Sequence, residues 1–162
     1  MCFVNESTFV MPVTHDVPII MVGPGTGVVP FIGFMQERKT AKEGNADVNL
    51  GPAGLYFGCR RHDEDFIYRD EMSEMKDGGI ITELHTAFSR EADSPKTYVQ
   101  DVLGQHRELI RSMMLEQNGQ FFVCGATSMG KAVEALVKET VGEEAYKTIQ
   151  KEKRYKVELW SS

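Results

Sequence analysis

Short apolar runs alternate with longer amphipathic stretches along this chain. Pro18–Val22 ends in the unbroken row Ile19-Ile20-Met21-Val22 and reads as a buried strand. The same criterion predicts strands at Leu55–Gly58, Ile80–Phe88, Gln120–Cys124 and Tyr155–Trp160. Between them, mixed apolar and charged positions predict helices at Val29–Lys42, Phe66–Lys76, Ser128–Val141 and Glu143–Lys151. Tyr98–Gln117 also reads as helical, with Gly104 as a candidate break. Asp63-Glu64-Asp65 is expected to cap the second helix, because acids favour helix starts. Gly44–Asp47 reads as a loop and Gly51–Gly54 as a turn, while Asp77-Gly78-Gly79 and Asn118-Gly119 end helices.

Strands that alternate with helices indicate an α/β fold, here a doubly wound five-stranded parallel sheet with helices on both faces. Ligands of such sheets bind at the carboxyl ends of the strands. Those ends are therefore where chemistry is to be sought. After the first strand comes Gly23-Pro24-Gly25-Thr26-Gly27-Val28-Val29-Pro30. Glycines there let backbone approach a ligand, and the helix start offers free N–H groups to an anion. The other reading is an ordinary tight turn. Val28 stands where the third glycine of a G-x-G-x-x-G fingerprint belongs, and no Gly-Lys-Ser/Thr closes a P-loop.

Composition narrows the field. The chain has 162 residues, 41% hydrophobic and 26% charged, as suits one globular domain. Its net charge of -6 argues against a general nucleic-acid binder. No apolar run reaches the roughly 18 residues of a membrane span, and the N-terminus lacks signal-peptide character. Cys2, Cys59 and Cys124 form no paired framework, and His15, His62, His85 and His106 are scattered without ligand spacing. No metal site is expected.

The remaining strand ends carry cations and hydroxyls. Cys59-Arg60-Arg61 follows the second strand, and Ser89-Arg90 follows the third, with Lys96, Tyr98 and Gln100 just beyond. An NAD site usually places an acid at the second position, whereas a 2′-phosphate needs cations and hydroxyl donors. NADP(H) is therefore preferred over NAD(H); alternatively, Arg90 and Lys96 are solvated surface charges. Cys124, before Gly125, reads either as a buried structural thiol or as a thiol beside a nicotinamide. Trp160 reads as core or as a cover for a planar ligand. Exposure separates those two readings.

Taken together, these blocks resemble the NADPH-binding domain of the ferredoxin–NADP reductase superfamily. More narrowly they resemble the diflavin reductases and, within them, the NADPH–cytochrome P450 reductases. The carrying residues are Ile20–Gly27, Pro30-Phe31, Gly33-Phe34, Gln36-Glu37-Arg38, Tyr56–Arg61, Asp63-Glu64-Asp65, Ala87–Arg90, Lys96–Gln100, Val123-Cys124-Gly125, and Arg154-Tyr155 through Trp160-Ser161. The resemblance runs in order over nearly the whole chain. It implies that Gly25, Thr26 and Gly27 hold the pyrophosphate, and that Ser89, Arg90, Lys96, Tyr98 and Gln100 hold the 2′-phosphate end. It further implies that Cys59 and Arg60 line the nucleotide cleft, that Cys124 and Glu158 assist hydride transfer, and that Trp160 stacks on a flavin. Met129 matches a family methionine across a one-residue gap.

The departures are Glu158 where those reductases carry aspartate, Ala126 where an aspartate commonly follows, Ala132 at a later acid, and an added Ser162. The family's FAD-binding motifs and its FMN domain are not in this sequence. Residues 1–15 are then expected to be a linker from an FAD-binding domain, and 16–162 the NADP(H)-binding domain of a larger reductase. The implied parent passes hydride from NADPH to FAD and electrons through FMN to cytochrome P450 or another haem protein. Alternatives are the methionine synthase, nitric oxide synthase or sulfite reductase types, or a non-catalytic nucleotide-binding module. The implied location is the cytoplasmic side, with any anchor to the endoplasmic reticulum membrane beyond this chain.

Overall fold

The computed structural model describes residues 7–161. Five parallel strands form one sheet: β1 (Ile19–Val22), β2 (Ala53–Cys59), β3 (Glu83–Phe88), β4 (Gln120–Ala126) and β5 (Tyr155–Trp160). Their spatial order is β3-β2-β1-β4-β5. The chain builds outward from β1 to one edge, then returns to β1 and builds to the other. The gap between β1 and β4 is therefore the switch point of a doubly wound sheet. The three inner strands are buried throughout most of their length, which explains their continuous apolar runs.

Helices cover both faces. On one, α1 (Val29–Gly44) and α2 (Arg69–Asp77) pack Phe31, Ile32, Met35, Met72 and Met75 against Met21, Leu55, Phe57 and Phe122. The other face carries α3 (Val99–Gly104), α4 (Arg107–Arg111), α5 (Thr127–Val141) and α6 (Glu143–Lys151). There Leu103, Ile110, Val133, Val137, Tyr146 and Ile149 meet Ile20, Val22, Phe121 and Val123.

Several boundaries differ from the sequence reading. Ala53 and Gly54 belong to β2 rather than to a turn, and β4 runs on to Ala126 because β5 pairs with it to the end. β3 starts at Glu83, not Ile80. The amides of Ile80 and Ile81 both bond to the Met75 carbonyl, so these apolar residues close α2 before the strand begins. α2 itself starts at Arg69, after Tyr68 in a left-handed conformation (φ 54°). Phe66 is held away from the helix by stacking on Phe57 at 5.0 Å and by an edge contact with Phe88 at 6.0 Å. Asp65 consequently does not cap it. The Tyr98–Gln117 stretch breaks just past Gly104, at Gln105–His106, and finishes in a π turn over Ser112–Glu116. His106 is pinned there by a 3.1 Å hydrogen bond between its Nδ1 and the Tyr56 hydroxyl.

Of the expected linker, residues 1–6 (with Cys2) lie outside the described residues, as does Ser162. The rest leans on the domain. Phe9 packs among Phe31, Phe34 and Phe122, and Lys156 Nζ donates to the Val10 carbonyl at 3.1 Å. Arg38, fully buried, donates to the carbonyls of His15 and Gly51 and so ties the entry segment to the start of β2.

Candidate nucleotide site

The glycine turn folds as the sheet topology requires. Gly25–Val28 forms a single 3-10 turn that runs straight into α1, with Pro30 near the first helical position. Its first internal bond joins the Gly27 amide to the Pro24 carbonyl at 3.1 Å, so the amides of Gly25 and Thr26 precede the turn's own bonding. Gly25 adopts φ +57°, and the space a side chain would take is open. Gly27 is the opposite case. A Cβ there would run into the Cys124 carbonyl, because β4 and the turn touch backbone to backbone.

A cleft of about 710 Å³ opens at the carboxyl ends of the strands. Pro24, Gly25 and Thr26 form one wall, and Ala126 at the end of β4 flanks it with Ser128 and Met129. The facing wall comprises Gly58, Cys59 and Arg60 at the end of β2, Ala87 and Ser89 at the end of β3, and Thr97 to Gln100 at the start of α3. Asp65 and Ile67 complete it. Arg60 and Asp65 are the charged members of the lining.

Most residues singled out from the sequence thus converge on one cleft: Gly25, Thr26, Cys59, Arg60, Ser89, Tyr98, Gln100 and Met129. Others flank it. Arg90 and Lys96 are exposed on the rim, with Lys96 Nζ 5.0 Å over the Tyr98 ring. That contact places a cation on one face of an aromatic that is 43% exposed. Gly27 sits on the buried side of the turn and is not in the lining. Cys124 is buried in β4 at 3% exposure, in register with Glu158 of β5. Trp160 is 42% exposed, so it is not a core side chain. It lies in register with the cleft residue Ala126, and the Thr127 hydroxyl donates to its carbonyl at 3.0 Å.

Electrostatics set the protonation of the two thiols. Burial, reinforced by Glu158, pushes Cys124 up to about 11. Cys59 is likewise raised to about 11, by desolvation first and then by Asp65 and Glu91. Both are neutral thiols at physiological pH. Among the described residues no group of His, Cys, Asp and Glu side chains is placed to hold a metal ion.

Sequence reasoning missed Asp65 as part of the cleft wall, having assigned it to a helix cap. It also missed Thr97, Ser128 and the small residues Gly58 and Ala87, which give the wall its shape. No spacing rule singles these out. They line the cleft because the strands bearing their neighbours end there.

Comparison with known proteins agrees with this geometry. A family described as the oxidoreductase NAD-binding domain matches residues 21–135, which span the turn, the cleft and most of α5. The chain is 42% identical over 170 aligned positions to NADPH–cytochrome P450 reductase of Musca domestica, and 40% over 170 to that of Homo sapiens. It is 39% identical over 173 positions to methionine synthase reductase of Homo sapiens. These alignments cover 97–98% of this chain but only about a quarter of each relative. With the family's match covering the greater part of the chain, and the glycine turn and cleft lying where a nucleotide fold requires them, this protein belongs to the oxidoreductase NAD-binding domain family.

Proposed function

We propose that this chain is the NADP(H)-binding module of a diflavin reductase and prefers NADP(H) to NAD(H). One observation carries the preference. The cleft faces a glycine turn on one side and, on the other, Arg60, Ser89 and Tyr98, with Arg90 and Lys96 on the rim and, among the described residues, no unengaged carboxylate in the lining. An open Gly25 cradle and converging cations suit a phosphate-bearing nucleotide. When bound, NADPH supplies a hydride, which a flavin held elsewhere in a parent protein accepts.

The chain's own residues bind, orient and select. Gly25 and Thr26 offer amides to the pyrophosphate. Ser89, Arg90, Lys96, Tyr98 and Gln100 hold the 2′-phosphate end, and Arg60 and Met129 border the nucleotide. Cys124 presents a neutral thiol beneath the turn, and Glu158 stands beside it in register, near the transfer site. Trp160 would lie against the flavin ring and yield its place to nicotinamide. Its exposure and its anchored carbonyl suit a side chain that moves while its backbone stays.

The parent on this reading contains FAD and FMN, and a haem protein such as cytochrome P450 accepts its electrons on the cytoplasmic side. The equal likeness to methionine synthase reductases supports a second acceptor class. In the intact parent, NADPH should drive reduction of cytochrome c, whereas this chain without flavin should not. Activity in the flavin-free chain would overturn the modular reading. Trp160→Ala in the parent should raise turnover with NADH at least about tenfold relative to NADPH. Unchanged NADH kinetics would remove the stacking role.

A further inference from the structure

Asp65 is the carboxylate that lines the cleft, and a negative charge there opposes any phosphate ligand. Both of its oxygens are already engaged. Oδ2 accepts the Arg60 amide at 3.1 Å, and Oδ1 accepts the Arg61 amide at 3.1 Å. These bonds fix the turn by which the chain leaves β2.

The other side of that turn holds the loop after β3. The Cys59 carbonyl accepts the Ser89 amide at 3.1 Å, and the Arg60 carbonyl accepts the Arg90 amide at 2.9 Å. The β2–β3 ladder thereby continues past Phe88 and carries Ser89 and Arg90 to the cleft. Cys59 Sγ closes the turn from within by donating to the Arg61 carbonyl at 3.3 Å. One carboxylate thus sets the peptide planes of Arg60 and Arg61, and those planes set the loop bearing the cation and hydroxyl. A helix-capping role does not account for Asp65, because α2 starts four residues later from Tyr68.

We propose that Asp65 is a positioning residue for nucleotide selection: it clamps the Arg60–Arg61 turn and, through it, registers Ser89 and Arg90 for a 2′-phosphate. This rests on the nucleotide reading above. The negative charge is stabilised where it stands by two amide donors, and the fixed turn keeps the arginine backbone aligned.

The test uses the 162-residue chain with Asp65→Asn and Asp65→Glu. Asparagine replaces one of the two acceptor oxygens with an NH2 donor, which sets donor against donor at one of the two arginine amides, whereas glutamate keeps charge and both acceptors on a longer arm. Amide hydrogen exchange and calorimetric titration with 2′,5′-ADP and 5′-AMP are the readouts. In Asp65→Asn, exchange should quicken at Arg60, Arg61, Ser89 and Arg90 but not at Met21 or Phe122. Binding of 2′,5′-ADP should weaken roughly tenfold or more, as for a lost charge-assisted contact, with 5′-AMP within about threefold. Asp65→Glu should fall between.

Unchanged or tighter 2′,5′-ADP binding in Asp65→Asn would overturn the proposal, leaving Asp65 a mere repelling charge. Equal weakening of both nucleotides would also overturn it. If Asp65→Asn unfolds, as loss of protection at Met21 would reveal, Asp65→Glu carries the same expectations with its charge held constant. If the unaltered chain binds neither nucleotide, the nucleotide reading fails by itself. The exchange data then decide the clamp, which falls if Arg60 and Arg61 are not quickened.

Discussion

The β1 turn and the β2–β3 rim face each other across one cleft but are held in different ways. The turn is backbone on backbone, with Gly27 seated against the Cys124 carbonyl and Val28 fully buried beneath it. The rim is made of side chains and loop amides. Arg90 and Lys96 stand in solvent, and the loop reaches its place through the Ser89, Arg90 and Thr97 amides. The turn therefore belongs to the folding core, whereas the rim can change without disturbing it. On the proposed function, recognition common to nucleotides is built into the fold, and discrimination between them is added at its surface.

The largest test of this contrast is Gly27→Ala. The added Cβ meets backbone that cannot yield, so destabilisation of about 3 kcal/mol is expected, a fall in Tm of roughly 6–12 °C. All nucleotide binding should be lost with it. A stable Gly27→Ala chain would mean that the turn is not packed as described.

Next comes the rim. Arg90→Ala should weaken 2′,5′-ADP binding by about 1.5–3 kcal/mol with little effect on 5′-AMP or on Tm. Equal loss for both ligands, seen by calorimetry, would erase the distinction between rim and turn.

Smaller and opposite in sign is Gly33→Ala. Gly33 is an exposed helical residue of α1 with open space where a Cβ would go. Removing backbone freedom there should stabilise the chain by about 0.5–1 kcal/mol, measured by denaturant unfolding. Two glycines six residues apart would then give opposite effects, which separates glycine needed for approach from glycine merely tolerated.

The weakest expected effect lies behind the rim. His85 of β3 stacks on Tyr56 at 4.9 Å, meets His106 at 4.1 Å and lies 3.3 Å from Glu83. Desolvation and then His106, with a smaller push from Lys76, outweigh Glu83 and hold His85 below its ordinary 6.5. Because the unfolded chain then binds the proton more readily, stability is full above about pH 6.5 and declines as pH falls below it. Thermal melts across pH 5–7.5 should show a shallower decline for His85→Gln. An identical slope would place the pH dependence elsewhere.

Much of this was legible in the sequence, for reasons specific to each element. Ile19-Ile20-Met21-Val22 could be read as a strand because β1 is buried on both faces and tolerates no polar break. Tyr155–Trp160 could be read from its position and aromatic ends. Asp63-Glu64-Asp65 could not, because an acidic run before an apolar pattern looks like a helix cap until Phe66 is known to stack on Phe57. Ile80-Ile81 read as strand although those residues close a helix, since burial looks the same in either role. The rim residues were identifiable by charge and hydroxyl. Their support came from Asp65 and from a ladder continued past its strand, both long-range features that local pattern does not encode.

The most direct measurement is calorimetric titration of this chain with 2′,5′-ADP alongside 5′-AMP. Tight binding of the first and weak binding of the second are expected. No binding of either, or equal binding of both, would contradict a cleft organised around a 2′-phosphate.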